Sequence, residues 1–474
     1  MKKLRCIFSL VILLFFSASL PAVADGYIIK FRVKGIKDTT CLIANYFGNG
    51  TYVKDTVKVD GSGRFTFKAK DDLPRGIYLV VLTDKNYFEF IVNRDKKFSM
   101  ETEKDNPTEN MVITGSPENK LFYDYLGYNK LKFNEIKNFQ AKQKEIPDNK
   151  DSLKLINDKI KDVNSDIIKY KLTIVAEHPD SFVAFLINAM KEPEVPEIPT
   201  LPNGRKDSTF GYRYYKEHFW DGTDFTDDRL LRTPVFYNKL KKYYDAVLIQ
   251  IPDSIISGSD QLIEKARPNR EMFKYMVWFA TNHYENSEIM GFDKIFVHVV
   301  ERYYVSGQAD WVNKTVMQSI INKAKKMKPL LLGEKAPNMV MMDTNNQLVS
   351  LYNIDSKFIL ILFWDPDCGH CEKEIPKIKD FYTQNKDKYG VEVFAVCSDT
   401  SLVKWKTAVK KRSMNWINVD GPRTLTGDYH ELYDVTTTPV IYFLNSRKEI
   451  IAKQLEAEQL EGFLKNYIRI TNKP

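Results

Sequence analysis

Between residues 26 and 115 apolar and polar residues alternate in short runs: YIIKFRVKG, CLIANYF, VKDTVKVD, GRFTFKAK, IYLVVLTD, FEFIVNR and MVITG. Side chains of a strand point to opposite faces in turn, so each run predicts a strand with one buried face. Turn signals such as Asp60-Gly61-Ser62-Gly63 separate the runs at the spacing of a small β-sandwich. From 117 to about 330 the period becomes helical. Ile156, Ile160, Val163, Ile167, Tyr170 and Ile174 recur at alternating steps of four and three, a seam of about two and a half heptads. A seam that short does not specify a coiled-coil dimer; it predicts a helix packed on 118–145. Pro193, Pro196, Pro199 and Pro202 then break the pattern and predict an extended connector over 191–209. Helical spacing resumes in FYNKLKKYYDAVLI, REMFKYMVWFATNHY, DKIFVHVVERYYV and WVNKTVMQSIINKA. Beyond 331 the continuous apolar run KFILILF (357–363) predicts a strand buried on both faces. EKEIPKIKDFYTQNK follows, with helical spacing through Ile375, Ile378, Phe381 and Tyr382.

The pattern therefore predicts a multidomain chain: a β-rich, sandwich-like segment at 25–115, an all-α segment at 116–330 and an α/β segment at 331–474. A length of 474 residues agrees with about three domains. Residues 1–24 stand apart. Met1-Lys2-Lys3-Leu4-Arg5, an apolar core from Ile7 to Leu20 and Pro21-Ala22-Val23-Ala24 have the three parts of a cleavable signal peptide. An uncleaved anchor is the alternative, but the core is short for a membrane span. Cys6 begins the apolar core, so it leaves with the leader and is no lipid acceptor. No later apolar run reaches spanning length, so the mature chain is expected in the periplasm without a transmembrane segment.

Removing Lys2, Lys3 and Arg5 lowers the formal charge from +8 to +5. Basic residues are interleaved with acids, which predicts solvated surface and no nucleic-acid partner. The glycines at 48–50 and 61–63 sit in hairpin turns, and no nucleotide-binding glycine pattern occurs. The histidines are His178, His218, His283, His298, His370 and His430. No pair has the spacing of a zinc-binding helix, and His298, in IFVHVV, is expected as a satisfied core residue. Cys41 and Cys397 lie in strand-like runs and are expected as small buried residues, a bridge between them being the alternative.

The chemistry concentrates in Trp364-Asp365-Pro366-Asp367-Cys368-Gly369-His370-Cys371. A Cys-x-x-Cys pair sits where a strand ends and a helix begins. Free N–H groups and the helix dipole stabilise a thiolate on the first cysteine. The second, about one turn on, can attack a mixed disulfide. Half a zinc site is the alternative, but no second Cys/His pair stands at ligand spacing, and no metal is expected. Pair and context together indicate a thioredoxin-type redox motif.

Further landmarks are GEKAPNMVMMD at 333–343, Pro376 in the helix after the cysteines, and TTTPVIYFLN at 436–445. With FWDPDCGHC they resemble the TlpA/ResA-like thiol–disulfide oxidoreductases, the membrane-facing and periplasmic branch of the thioredoxin superfamily. That resemblance covers 333–474. It implies a thioredoxin fold, a cis peptide before Pro439, and Thr438 and Pro439 offering backbone to a substrate strand. It implies Cys368 as the attacking thiol, Cys371 as the resolving one and Trp364 as a shield over the sulfurs. Glu374 falls where that branch carries an acidic residue beside the active site, and i, i+3 placement from Cys371 favours a proton acceptor over a solvated Glu. Cytoplasmic thioredoxins place an acid six residues before the first cysteine, at Leu362 here. The β-rich segment resembles a domain often fused to such enzymes in Gram-negative envelope proteins, and YRYYKEHFWDGTDFTDDRLLRTP resembles a helical companion domain of unknown function.

The chain also departs from these relatives. Many have Trp before the first cysteine, where Asp367 stands; an anion there is expected to raise the Cys368 pKa. His370, when protonated, works the other way. A Gly-His pair also occurs in protein disulfide isomerase, with a potential of about −180 mV against about −270 mV for thioredoxin. The leading expectation is an exported enzyme exchanging protein disulfides, with no cofactor beyond the Cys368–Cys371 couple. Its partners would be envelope protein thiols or disulfides and an upstream redox donor or acceptor. The first alternative is a binding protein whose thioredoxin domain docks or senses. The second, a peroxidase, conflicts with Asp365, because peroxiredoxins carry Thr three residues before their reactive cysteine.

Overall fold

The computed structural model describes residues 26–145, 147 and 149–471; the expected leader lies outside them. The chain forms two compact units, divided between Lys242 and Tyr243.

The first unit opens with strands β1 (Tyr27–Lys34), β2 (Thr39–Phe47), β3 (Gly50–Val59), β4 (Arg64–Ala69), β5 (Gly76–Val81), β6 (Tyr87–Val92), β7 (Lys97–Glu103) and β8 (Val112–Thr114). They make two four-stranded sheets, ordered β4-β1-β7-β8 and β3-β2-β5-β6. The pairing is antiparallel except for β1 with β7. Alternation along β1 buries Tyr27, Ile29, Phe31 and Val33, and Phe31 stacks on Phe65 with ring centroids 5.0 Å apart. Helices α1 (Pro117–Glu145), α2 (Lys150–Glu177) and α3 (Phe182–Met190) follow. Buried Asn119 docks α1 on β6, its amide donating to Ile91 O at 2.9 Å and accepting from Ile91 N–H at 2.7 Å. The expected seam is present: Val163, Ile167 and Ile174 are buried, and Tyr170 meets Tyr128 of α1. The proline-rich stretch is irregular through Pro199 and then folds back in a short bridged turn, Thr200 pairing with Lys206, before α4 (Phe210–His218); α5 (Pro234–Lys242) closes the unit.

The second unit begins inside the helical region. Helices α6 (Pro252–Ala266), α7 (Arg270–Glu285), α8 (Asp293–Val299) and α9 (Lys314–Met327) pack through Ile263, Met276, Phe279 and Phe296. His298 is paired, its Nε2 lying 3.0 Å from Asp260, but it is only half-buried and not the core residue that IFVHVV suggested. The α/β region follows with β9 (Val340–Asp343), β10 (Leu348–Ser350), β11 (Phe358–Trp364), α10 (Gly369–Tyr389), β12 (Val391–Cys397), α11 (Leu402–Lys411), β13 (Ile417–Thr424), α12 (Tyr429–Leu432), β14 (Val440–Asn445), β15 (Ile450–Lys453) and α13 (Leu460–Thr471). Its sheet has the order β10-β9-β13-β12-β11-β14-β15. Strand β11 is central, parallel to β12 and antiparallel to β14. Both faces of β11 are covered, which is why its sequence is apolar throughout.

The change of pattern expected at 330/331 falls inside this second unit. Lys453 of β15 is nearly buried, pairs with Asp293 of α8 and donates to Leu330 O at 2.8 Å. Among the described residues, no helix is long and apolar enough to cross a membrane.

Candidate active site

Strand β11 ends at Trp364, and the next three residues turn the chain into α10. Asp365 organises that turn. Its Oδ1 accepts from the Asp367 N–H at 2.8 Å, its Oδ2 accepts from Ser398 Oγ at 2.8 Å, and its carbonyl accepts from the Cys368 N–H. Cys368 is then the N-cap of α10. Its Sγ accepts from the Cys371 N–H at 3.4 Å, as a capping Ser or Asp oxygen would. The same sulfur donates to Thr438 O at 3.1 Å. Thr438 precedes Pro439 through a cis peptide, as the resemblance implied.

The two sulfurs differ in environment. Cys368 is half-buried. Desolvation raises its pKa, but the backbone N–H groups of Cys371 and His370 and the side chains of Thr438 and Cys371 outweigh it and hold the thiol below its ordinary 9.0. Cys371 is fully buried beneath it, and burial pushes its thiol up to about 11, against a smaller opposing effect from the Asp365 backbone. Trp364, also fully buried, shares the apolar cluster that holds Cys371 and borders Cys368. The Arg412 guanidinium lies 5.6 Å from its ring centroid and donates to Pro366 O. His370 is exposed on the first turn of α10.

Two expectations are corrected here. Asp367 was expected to oppose the Cys368 thiolate. Its carboxylate is instead paired with Lys404 on α11, which also binds Asp399 at 3.0 Å, and the Cys368 pKa is lowered. Glu374 was expected to take a proton from Cys371. Burial raises its pKa, but Lys377 Nζ at 2.7 Å and the Ala457 N–H at 3.1 Å each hold one oxygen, and the net shift is downward. Neither oxygen's partner is Cys371. The carboxylate ties α10 to the turn before α13.

The other cysteines are far from this chemistry in kind. Cys41 and Cys397 are free, buried thiols in separate cores, raised to about 11 and about 12 by desolvation. Residues that the sequence did not single out do border the site. Lys404 neutralises Asp367, and Met290, from the turn between α7 and α8, packs on the large apolar cluster to which Trp364 and Cys371 belong. Neither carries a local signal, because each matters only through a partner distant in the chain.

Residues 332–453 match the model of the AhpC/TSA family. Over 157 residues the chain is 28% identical to the thiol–disulfide oxidoreductase ResA of Bacillus cereus, covering 32% of this chain and 86% of that protein. The C-terminal region belongs to the thioredoxin-like thiol–disulfide oxidoreductases. ResA of Bacillus subtilis, another such oxidoreductase, is 28% identical over 140 residues, 29% of this chain and 74% of that one. Among solved structures, a domain of a possible thiol–disulfide isomerase from Cytophaga hutchinsonii is 36% identical. It covers 31% of this chain and 99% of its own, with a TM-score of 0.29. A thioredoxin-like protein from Bacteroides caccae is 18% identical and covers 58% and 99%, with a TM-score of 0.45. Residues 27–122 and 140–327 match two domains of unknown function, DUF4369 and DUF5106.

Proposed function

We propose that this oxidoreductase exchanges disulfides with polypeptide partners in the cell envelope through Cys368 and Cys371. The observation that carries the reading is the asymmetry of the two sulfurs: one half-exposed, capping a helix and acidified, the other buried and held as a thiol. In the reducing direction the Cys368 thiolate attacks one sulfur of a partner disulfide. That S–S bond breaks, a mixed disulfide forms, and the displaced partner thiolate takes a proton from water. Cys371 then loses its proton to water and attacks Cys368 Sγ. The mixed disulfide breaks, and the second partner thiolate leaves and is protonated. The partner gains two electrons and two protons, and the chain ends as the Cys368–Cys371 disulfide. The reverse sequence oxidises a dithiol, and direction follows the potential of the partner couple. Thr438, whose carbonyl and side chain both face Cys368, aligns the incoming backbone beside Pro439.

Asp365 supports exchange over peroxide reduction. Its carboxylate is spent on the turn, and no threonine hydroxyl stands three residues before Cys368. The leader-like residues 1–24 support export, and a mature N-terminus at Asp25 in a periplasmic fraction is the expected product. The test of function is insulin reduction by the dithiol-reduced full chain. Turnover with loss of two titratable thiols per chain, abolished by Cys368→Ala, is expected. Absence of turnover by fully reduced protein would overturn the reading.

A further inference from the structure

Within the first unit a cleft of about 610 Å³ lies between parts of the chain that are distant in sequence. One wall is the β4–β5 loop with Asp72 and Arg75, joined by Arg94 from the turn between β6 and β7. The other is the short 3-10 turn Asp228–Arg232, with Asp227 just before it. Arg75, Arg94, Arg229 and Arg232 therefore line one depression. A smaller cavity of about 280 Å³ shares Arg75 and Arg94 and adds Tyr27, Asn93 and Lys96.

The charges do not cancel. Asp227 pairs with Arg229 through Nε at 3.0 Å and Nη2 at 2.5 Å, Asp228 with Arg232 at 2.9 Å, and Asp72 with Lys96 at 2.5 Å. Each carboxylate of the lining thus has its own cation. Arg75 and Arg94 are left over. Among the described residues neither makes a hydrogen bond or an ion pair, and both are exposed. Two guanidinium groups on one cleft repel each other, and an anion bound to both removes that cost.

The frame that carries them is fixed. A Cβ on Gly76, next to Arg75, would sit 2.3 Å from Arg232 Cβ and 2.9 Å from its carbonyl oxygen, so only glycine lets the two walls meet this closely. The Gly48 N–H donates to Leu231 O at 2.8 Å, and Leu230 and Leu231 are fully buried. The Arg229 guanidinium lies 4.5 Å from the Phe185 ring centroid and donates to Asn93 Oδ1, beside Arg94, at 3.4 Å. The cleft is therefore preformed, which spares a ligand the cost of ordering it.

We propose that this cleft binds a small ligand carrying phosphate or carboxylate groups, held by Arg75 and Arg94. Such binding is independent of the disulfide-exchange reading above. A guanidinium group presents parallel N–H donors that match two oxygens of either anion. The volume falls within the range of small-molecule sites, about 300–1,000 Å³. Apart from Leu73 and Pro74 every lining residue is charged, which disfavours an apolar ligand.

Isothermal titration of the full-length protein at about 50 mM salt, where exposed charges are weakly screened, tests this. Pyrophosphate and citrate are the probes, one for each anionic group, and sucrose is the neutral control. About one equivalent of either or both anions should bind, sucrose should not, and the tighter anion names the group. Arg75→Gln and Arg94→Gln should each weaken binding at least about tenfold. Arg205→Gln, at an exposed arginine outside the lining, should leave it unchanged. Both cleft arginines are exposed, so their replacement disturbs no core. No binding of either anion, equal binding of sucrose, binding that survives the Arg75→Gln/Arg94→Gln pair, or equal weakening by Arg205→Gln would overturn the site.

Discussion

Alkylation of the two active-site cysteines, isolated one at a time, should differ by at least an order of magnitude. Cys371→Ala leaves Cys368 as the site's thiol, and Cys368→Ala leaves Cys371. Burial holds Cys371 at about 11, so about one molecule in 10⁴ carries the thiolate at pH 7. Cys368 lies below 9.0, so more than about one in 10² is ionised at the same pH. That hundredfold advantage is partly offset, because the more basic thiolate is the stronger nucleophile. A Brønsted slope of about 0.4–0.5 returns roughly tenfold to Cys371. Ionisation alone leaves Cys368 about tenfold ahead, and closure of the Cys371 sulfur from solvent widens the gap. The assay is iodoacetamide labelling from about pH 6 to about pH 10, each site being followed by peptide mass spectrometry. Cys41 and Cys397, buried and held at about 11 and about 12, supply a slow background common to both variants. The Cys368 rate should reach half of its plateau below pH 9, whereas the Cys371 rate should still be climbing there. Equal rates, or a Cys371 plateau below pH 9, would refute the assignment of roles.

Glu374→Ala should lower the unfolding free energy of the reduced protein by about 1.5–3 kcal/mol, the range for a hydrogen bond to a charged acceptor, because the buried Ala457 N–H loses its partner. The Glu374 pKa is depressed, so its contribution is full above the ordinary 4.5 and fades as pH falls through the folded value. Urea midpoints of Glu374→Ala and the parent should therefore converge in acid; a slowed release step with unchanged stability would restore the proton-acceptor role. Lys453→Met should cost about 3–5 kcal/mol by stranding Asp293, and adding Asp293→Leu should recover most of that loss. A urea midpoint unmoved by the single substitution would show that β15 and α8 are not held together by this pair.

The sequence made the site legible wherever the information was local. KFILILF had to be a strand covered on both faces, and a Cys-x-x-Cys pair at its end had to meet a helix N-terminus. Val163, Ile167 and Ile174 are buried where the four-three spacing put them. Asp367 looked like an anion opposed to the thiolate because Lys404, 37 residues on, was not visible as its partner. Glu374 is held ionised first by Lys377, only three residues on, and then by the Ala457 N–H, 83 residues away, so its reading as a proton acceptor overlooked a local partner as well as a distant one. The change of pattern at 330/331 gave no sign that Lys453 reaches back 160 residues to Asp293 across it. Periodicity reports which face of an element is buried and is silent on what covers it.

The most direct test of the central claim is trapping by the Cys371→Ala chain. Reduced and mixed with insulin at neutral pH, it retains the attacking thiol and lacks the resolving one. A stable mixed disulfide should accumulate and map by mass spectrometry to Cys368, with none on Cys41 or Cys397, and Cys368→Ala should form no adduct. An adduct that maps to another cysteine, or one that forms as readily in Cys368→Ala, would contradict the account.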